Sequence, residues 1–143
     1  MKLHLMPYVR IGGRNLFPPP IVSYLQTDGS FYMKSKLSRV AFILKTPTHE
    51  YAKMLELQNV TDSTETEWAS IAYGIAYSFV RGQDILAVEN DNLGVVSAIL
   101  THKKVKQDYA RHYQHEIYKM AHQSRWIGLR WIPREENKAD RLF

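Results

Sequence analysis

Between residues 64 and 81 the apolar positions of this chain change their period, and that change restricts the available folds more than any other feature. Trp68, Ile71, Ile75 and Phe79 recur at helical spacing, and Ala69, Ala72, Ala76 and Val80 form a second stripe beside them. A helix apolar over so wide an arc must be largely buried. Upstream the pattern belongs to strands. IVSYLQT (21–27) runs into Asp28-Gly29, RVAFILK (39–45) is a second run and HEYAKMLELQNV (49–60) a third. Three such runs in succession predict an antiparallel meander.

Downstream, QDILAVEN (83–90) is short, apolar in its middle and set between helical segments, as the buried strand of a βαβ unit is. Leu93, Val96, Ile99 and Leu100 continue as a helix, residues 108–123 give another, and RWIGLRWIP (125–133) is a last strand closed by Pro133. The order β-β-β-α-β-α-α-β-α predicts an α/β domain. Its five-stranded mixed sheet, with the first three strands antiparallel and the others parallel, is flanked by helices on both faces. Residues 1–20 carry Gly12-Gly13 and Pro18-Pro19-Pro20, punctuation expected of an arm or linker before a domain at 21–143.

At 143 residues the chain is long enough to bury a core without staples. It has no cysteine, which excludes disulfides and thiolate metal sites and fits a reducing, cytoplasmic setting. No apolar run is long enough to span a bilayer, and the first ten residues lack the apolar stretch of a secretion signal. A net charge of +5 points to a polyanionic partner. Lys103, Lys104, Lys106, Arg111, Lys119 and Arg125 cluster in 101–125 against only Asp108 and Glu116. The histidines at 112, 115 and 122 fall at helical spacing and read as a polar helix face.

Four acids fall at element boundaries, and each has an ordinary structural reading. Asp28-Gly29 is a common turn pair. Thr64-x-x-Glu67 is a capping box. Asp91 stands where a strand gives way to a helix, a favoured N-cap position. Asp140 is a charge near the end of the sequence. Their joint arrangement says more. If 21–27 and 84–90 are parallel neighbours, Asp28 and Asp91 emerge at the same sheet edge, where open α/β folds place their sites. Glu67 lies in the first turn of the helix feeding the second strand, and Asp140 on a terminal helix able to return to that edge. Four converging carboxylates repel one another unless hard cations neutralise them, and oxygen ligands suit Mg²⁺ or Mn²⁺.

The segments TDGSF (27–31), STETEWASIAYGI (63–75), LAVENDN (86–92) and WIPREENKAD (131–140) resemble the four signature blocks of the ribonuclease H type 1 family, including the ribonuclease H domains of retroelement reverse transcriptases. The resemblance runs from Ile21 to the C-terminal residue in the family's order. It implies a ribonuclease H-like fold and a monomeric, metal-dependent endonuclease that hydrolyses the RNA strand of RNA/DNA hybrids to 5′-phosphate and 3′-hydroxyl ends. Asp28, Glu67, Asp91 and Asp140 match the family's catalytic ligands for two Mg²⁺ ions, with Mn²⁺ as a substitute. By matching position, Gly29, Ser30, Phe31, Ser63, Thr64, Asn92, Arg134 and Asn137 are the expected substrate contacts. The implied setting is a reverse transcriptase or replication machinery, with no membrane.

Three departures stand out. The loop before the last helix, Pro133-Arg134-Glu135-Glu136, lacks the family's frequent histidine, and Arg134 is expected to meet a phosphate rather than act as a base. Asn137 precedes Asp140 by three residues instead of the commoner four. Only His102-Lys103-Lys104-Val105-Lys106 stands where some members carry a basic protrusion. Two alternatives follow, a nucleic-acid-binding module with weakened catalysis and a DNA-directed nuclease of the same fold. Trp68 and Trp131 are expected in the core, and Leu142 and Phe143 against the sheet if the site is preformed.

Overall fold

The computed structural model describes residues 7–143, so the first six residues of the expected arm lie outside the described residues. Among those described, six strands form one sheet: β1 (Val9–Gly12), β2 (Ser23–Tyr32), β3 (Leu37–Lys45), β4 (Glu50–Leu57), β5 (Ile85–Asn90) and β6 (Trp126–Trp131), in the order β1-β6-β5-β2-β3-β4. β2, β3 and β4 form the predicted antiparallel meander. β5 lies parallel to both β2 and β6. The three α-helices are α1 (Ser63–Val80), α2 (Leu93–Leu100) and α3 (Asp108–Gln123).

The expected five strands gain a sixth from the arm. Val9–Gly12 pairs antiparallel with β6, Val9 opposite Leu129 and Arg10 opposite Gly128. The arm then continues along the molecule, Arg14 N donating to Ser124 O at 3.0 Å and Asn15 N to Arg125 O at 2.9 Å. A run of four residues ending at Gly12-Gly13 is too short to show an alternating period, which is why its sequence reads as a linker.

One face of the sheet carries the core. Leu25 of β2, Phe42 and Leu44 of β3, Leu86 and Val88 of β5 and Ile127 and Leu129 of β6 are fully buried beneath α1, α2 and α3. Trp68, Ile71 and Ile75 of α1 meet them, as the first apolar stripe predicts, and Ala69 and Ala72 of the second stripe are buried as well, whereas Ala76 and Val80 at its far end are exposed. α1 settles close because Gly74 faces β2: a Cβ there would stand 2.7 Å from Thr27 Cγ2. The opposite face is nearly open. Tyr8, Tyr24, Gln26, Glu89 and Arg130 line a cavity of about 510 Å³ on it, and among the described residues the tail is what crosses it. The expected helices on both faces are thus α-helices on one and 3-10 turns on the other.

Three local expectations are corrected. Asp28-Gly29 makes no turn, because β2 and β3 stay paired through Asp28 opposite Ala41 to Tyr32 opposite Leu37. The reversal falls on 33–36, where Lys36 takes the positive φ of 56°. The capping box lies two residues earlier than expected: Asp62 Oδ1 accepts from Glu65 N at 2.8 Å, and Glu65 Oε1 accepts from Thr61 N at 3.2 Å. The terminal helix is a pair of 3-10 turns, Arg134–Glu136 and Lys138–Leu142. At about three residues per turn, the three-residue step from Asn137 to Asp140 is one full turn.

Candidate active site

Parallel pairing of β2 with β5 ends at Thr27 opposite Asn90, and the next residue of each strand is an acid, Asp28 and Asp91. The first turns of α1 bring Glu67 over the same edge. The close approach depends on Gly29, where a Cβ would stand 2.7 Å from Glu67 Oε1 and 3.0 Å from the Thr66 carbonyl carbon. Gly29 N donates to Glu67 Oε1 at 2.6 Å and to Asp28 Oδ1 at 2.9 Å, so one backbone amide holds both carboxylates. Asp28, Glu67 and Asp91 each offer an oxygen, and these oxygens lie within 4.8 Å of one another. Asp140 lines the same open cleft of about 590 Å³.

Neither Glu67 nor Asp91 caps its helix. Asp62 and Glu65 perform that task for α1, and Asn92 does so for α2, its Oδ1 accepting from Val95 N at 3.0 Å. Trp131 Nε1 donates to Asp91 O at 2.9 Å and fixes the backbone there.

The electrostatics follow from crowding acids in a half-buried cleft. Burial, followed by the charges of Glu67 and Asp91, pushes Asp28 up to about 9, and bonding of its protonated form to Asp140 adds to the rise. Glu67 rises to about 7 through burial and the charge of Asp91, although Gly29 N and the Asn92 amide favour its charged form. Asp91 is raised by burial and by Asp140, against the neighbouring Asp28 and Asn137. The Arg134 guanidinium stands 3.5 Å from Asp140, at the exposed rim. Its own pKa is raised by the charge of Asp140. Oxygen-only donors converging at this spacing, held partly protonated by burial and mutual repulsion, fit a hard divalent cation.

The expected substrate contacts divide into three groups. Gly29, Ser30, Phe31, Asn92 and Arg134 line the cleft with the four acids. Ser63 and Thr64 lie exposed at the start of α1, outside the cleft lining. Asn137 is 2% exposed. Its Nδ2 donates to Thr27 O at 2.9 Å and its Oδ1 accepts from Ala139 N at 3.2 Å, so the side chain ties the tail to β2. Trp68 is buried as expected and Trp131 half-buried, while His112, His115 and His122 are exposed along α3. Leu142 and Phe143 are half-buried, with the Arg39 guanidinium 5.6 Å from the Phe143 ring centre.

Sequence reasoning passed over the residues behind the acids. Buried Asn90 donates from Nδ2 to Thr27 O at 3.1 Å and Thr27 Oγ1 at 3.0 Å, and its Oδ1 accepts from Asn92 N at 2.8 Å. It thereby ties β2 to the turn carrying Asp91. Two polar residues, Glu89 and Asn90, closing a strand that is otherwise apolar were the available signal. Glu89 and Gln26, partners across the β5–β2 ladder, were also passed over.

Comparison with known proteins supports the fold. Solved structures similar to this chain include RNase H1 from the halophilic archaeon Halobacterium salinarum NRC-1, with TM-score 0.72, 14% identity, and coverage of 84% of this chain and 92% of that one. The N-terminal RNase H domain of a Mycobacterium tuberculosis protein, solved as a fusion with maltose-binding protein, gives TM-score 0.71 at 22% identity over 85% and 90% of the two chains. LC11-RNase H1 in complex with RNA/DNA hybrid gives 0.69 at 18% identity over 84% and 92%. Among curated proteins none matches the sequence. The sequence model of the reverse transcriptase-like family matches residues 26–142, a span that includes all four acids. The chain therefore has the ribonuclease H fold and belongs to the reverse transcriptase-like family.

Proposed function

We propose that this chain is a metal-dependent endonuclease that hydrolyses the RNA strand of RNA/DNA hybrids, with Asp28, Glu67, Asp91 and Asp140 as the ligands of two divalent cations. The observation that carries the reading is the convergence of Asp28, Glu67 and Asp91 from three separate elements to within 4.8 Å, with none of them employed in a turn or a cap. One of the similar structures is an RNase H1 in complex with RNA/DNA hybrid, and the chain's net charge of +5 suits a polyanionic substrate.

When bound, paired Mg²⁺ or Mn²⁺ ions lower the pKa of an attacking water and stabilise the leaving 3′ oxygen. The chain's own residues set the conditions. Gly29 N holds the Asp28 and Glu67 oxygens in fixed relation. Asp28, which burial and the charges of Glu67 and Asp91 hold protonated up to about pH 9, would have to lose that proton to hold a cation, so metal affinity would rise with pH. Arg134, 78% exposed at the mouth, offers a guanidinium to a phosphate oxygen and remains charged throughout. Hydrolysis at the P–O3′ bond leaves a 5′-phosphate and a 3′-hydroxyl. Recognition of such a hybrid rests on helix shape and 2′-hydroxyls, and low sequence preference follows.

The test is incubation of labelled RNA/DNA hybrid, duplex DNA and duplex RNA with Mg²⁺, Mn²⁺ or EDTA. Cleavage confined to the RNA strand of the hybrid and abolished by EDTA is expected. A hybrid intact under every metal condition returns the chain to the class of binding modules, and cleavage of duplex DNA to that of DNA-directed nucleases.

A further inference from the structure

Asp140 differs from its three partners in its support. The others stand on β2, α1 and the end of β5, whereas Asp140 rides on a five-residue 3-10 turn. A turn this short sets no side-chain position by itself, so its tethers decide where the carboxylate sits. Asn137 supplies one by donating to Thr27 O. Gln26 supplies another from the open face of the sheet. Its Oε1 accepts from Lys138 N at 3.0 Å, and its Nε2 donates to Glu136 O at 3.3 Å, so a single amide grips the backbone on both sides of Asn137.

Gln26 is itself held. Its Nε2 also donates to Glu89 Oε1 at 2.9 Å. Glu89 is 7% exposed, and its other oxygen accepts from Tyr8 Oη at 2.9 Å and Arg130 Nε at 2.8 Å. Arg130 lies over the Tyr8 ring at 4.2 Å. Tyr8 immediately precedes β1, so the network runs from the N-terminal arm through Glu89 and Gln26 to the segment bearing Asp140.

We infer that Gln26 is a positioning residue for Asp140, and that the N-terminal arm acts on the candidate site through Tyr8, Glu89 and Gln26. The inference rests on the reading of Asp140 as a metal ligand. Two tethers at neighbouring residues, beside the packing of fully buried Ala139, fix the rotation of the turn as well as its place. The consequence is metal binding that depends on a glutamine touching no metal, as partners behind a ligand commonly make it.

The test compares wild type, Gln26→Leu and Tyr8→Phe, which keeps the ring on Arg130 and removes only the hydroxyl. Calorimetric Mn²⁺ binding, the Mg²⁺ midpoint of hybrid cleavage and Tm are measured on each. Gln26→Leu is expected to raise both metal midpoints about tenfold and Tyr8→Phe about two- to threefold, in each case with most of the maximal rate recovered at saturating metal. Because both act through Asp140, neither moves the Mn²⁺ midpoint further in an Asp140→Asn background, and Tyr8→Phe adds nothing to Gln26→Leu. Unchanged Mn²⁺ binding in both variants overturns the inference, as does an undiminished effect in Asp140→Asn. Should Gln26→Leu fail to fold, the Tyr8→Phe arm decides alone. If the wild type binds Mn²⁺ as stated but cuts no hybrid, the nuclease reading falls and the positioning role stands. If hybrid is cut and both variants bind Mn²⁺ like wild type, the reverse holds.

Discussion

Replacing Asp28 by Asn is expected to make the metal-free protein more stable, by an amount that grows with pH. The carboxyl group titrates near 3.8 in the ordinary case and at about 9 in the folded chain. Between those values the folded state holds a proton that the unfolded chain has released, so stability from this group is present below 3.8 and falls as pH rises towards 9. Each pH unit costs about 1.4 kcal/mol, which makes about 6 kcal/mol at pH 8 and about 1 to 2 kcal/mol at pH 5. A buried amide keeps part of the desolvation cost and solvent in the open cleft screens the like-charge part, so about half of each figure is recoverable. The Asn Oδ1 can still accept from Gly29 N, which bonds Asp28 Oδ1 at 2.9 Å in the wild type. At about 4 °C per kcal/mol for a chain of this size, Tm should rise by about 12 °C at pH 8 and about 3 °C at pH 5. Calorimetric melting in EDTA at both pH values measures the difference, and added Mg²⁺ should stabilise the wild type while leaving the variant nearly unmoved. A variant no more stable than wild type at pH 8, or a gain independent of pH, refutes the account of Asp28 as a carboxylate strained by burial and like charge.

Glu67→Gln leaves the Asp62–Glu65 cap in place; thermal melting should detect no loss, while hybrid cleavage drops at least about a hundredfold. Asp62→Ala should do the opposite, lowering stability by about 1 kcal/mol in urea titration with cleavage at saturating Mg²⁺ retained. Gly29→Ala places a Cβ 2.7 Å from Glu67 Oε1 and against the Thr66 backbone; about 1–3 kcal/mol of stability should be lost, and Mn²⁺ affinity should fall with it.

The parts of the fold that were legible are those with a long period. The first apolar stripe of α1, the amphipathic face of α3 and the three-strand meander carry enough repeats for their positions to name the buried face, although the second stripe of α1 runs out into solvent at Ala76 and Val80, and the helices end within a residue or two of expectation. What escaped was either short or decided across the sheet. Asp28-Gly29 has the composition of a turn, but the preference is overridden because Gly29 is needed where Glu67 and Thr66 press on β2. Val9–Gly12 has too few residues for a pattern, and its pairing with β6 is settled by a partner more than 100 residues away. The tail reads as a helix from its composition; its 3-10 form goes with the bonds that Asn137 and Gln26 make to it, which no local window contains.

The candidate site was legible for a different reason. Each acid had an ordinary explanation, and in three cases the chain assigns that explanation to a neighbour. The turn belongs to residues 33–36, the cap of α1 to Asp62 with Glu65, and the cap of α2 to Asn92. Asp28, Glu67 and Asp91 are left outside every turn and cap, while burial and mutual repulsion raise all three. Local structure alone would favour their replacement by neutral residues. The cost is only partly relieved from within: Gly29 N and the Asn92 amide favour charged Glu67 and Arg134 draws Asp91 down, but the guanidinium pairs with Asp140 at the rim rather than entering the triad. A cluster that destabilises its own fold persists where something outside the chain compensates it, and at this spacing of oxygens a divalent cation does so most directly. Gln26 and Glu89 carry no such mark in the sequence. Their work is structural and fully satisfied, so they leave no such deficit, and only the path of hydrogen bonds from Tyr8 to Lys138 connects them to the site.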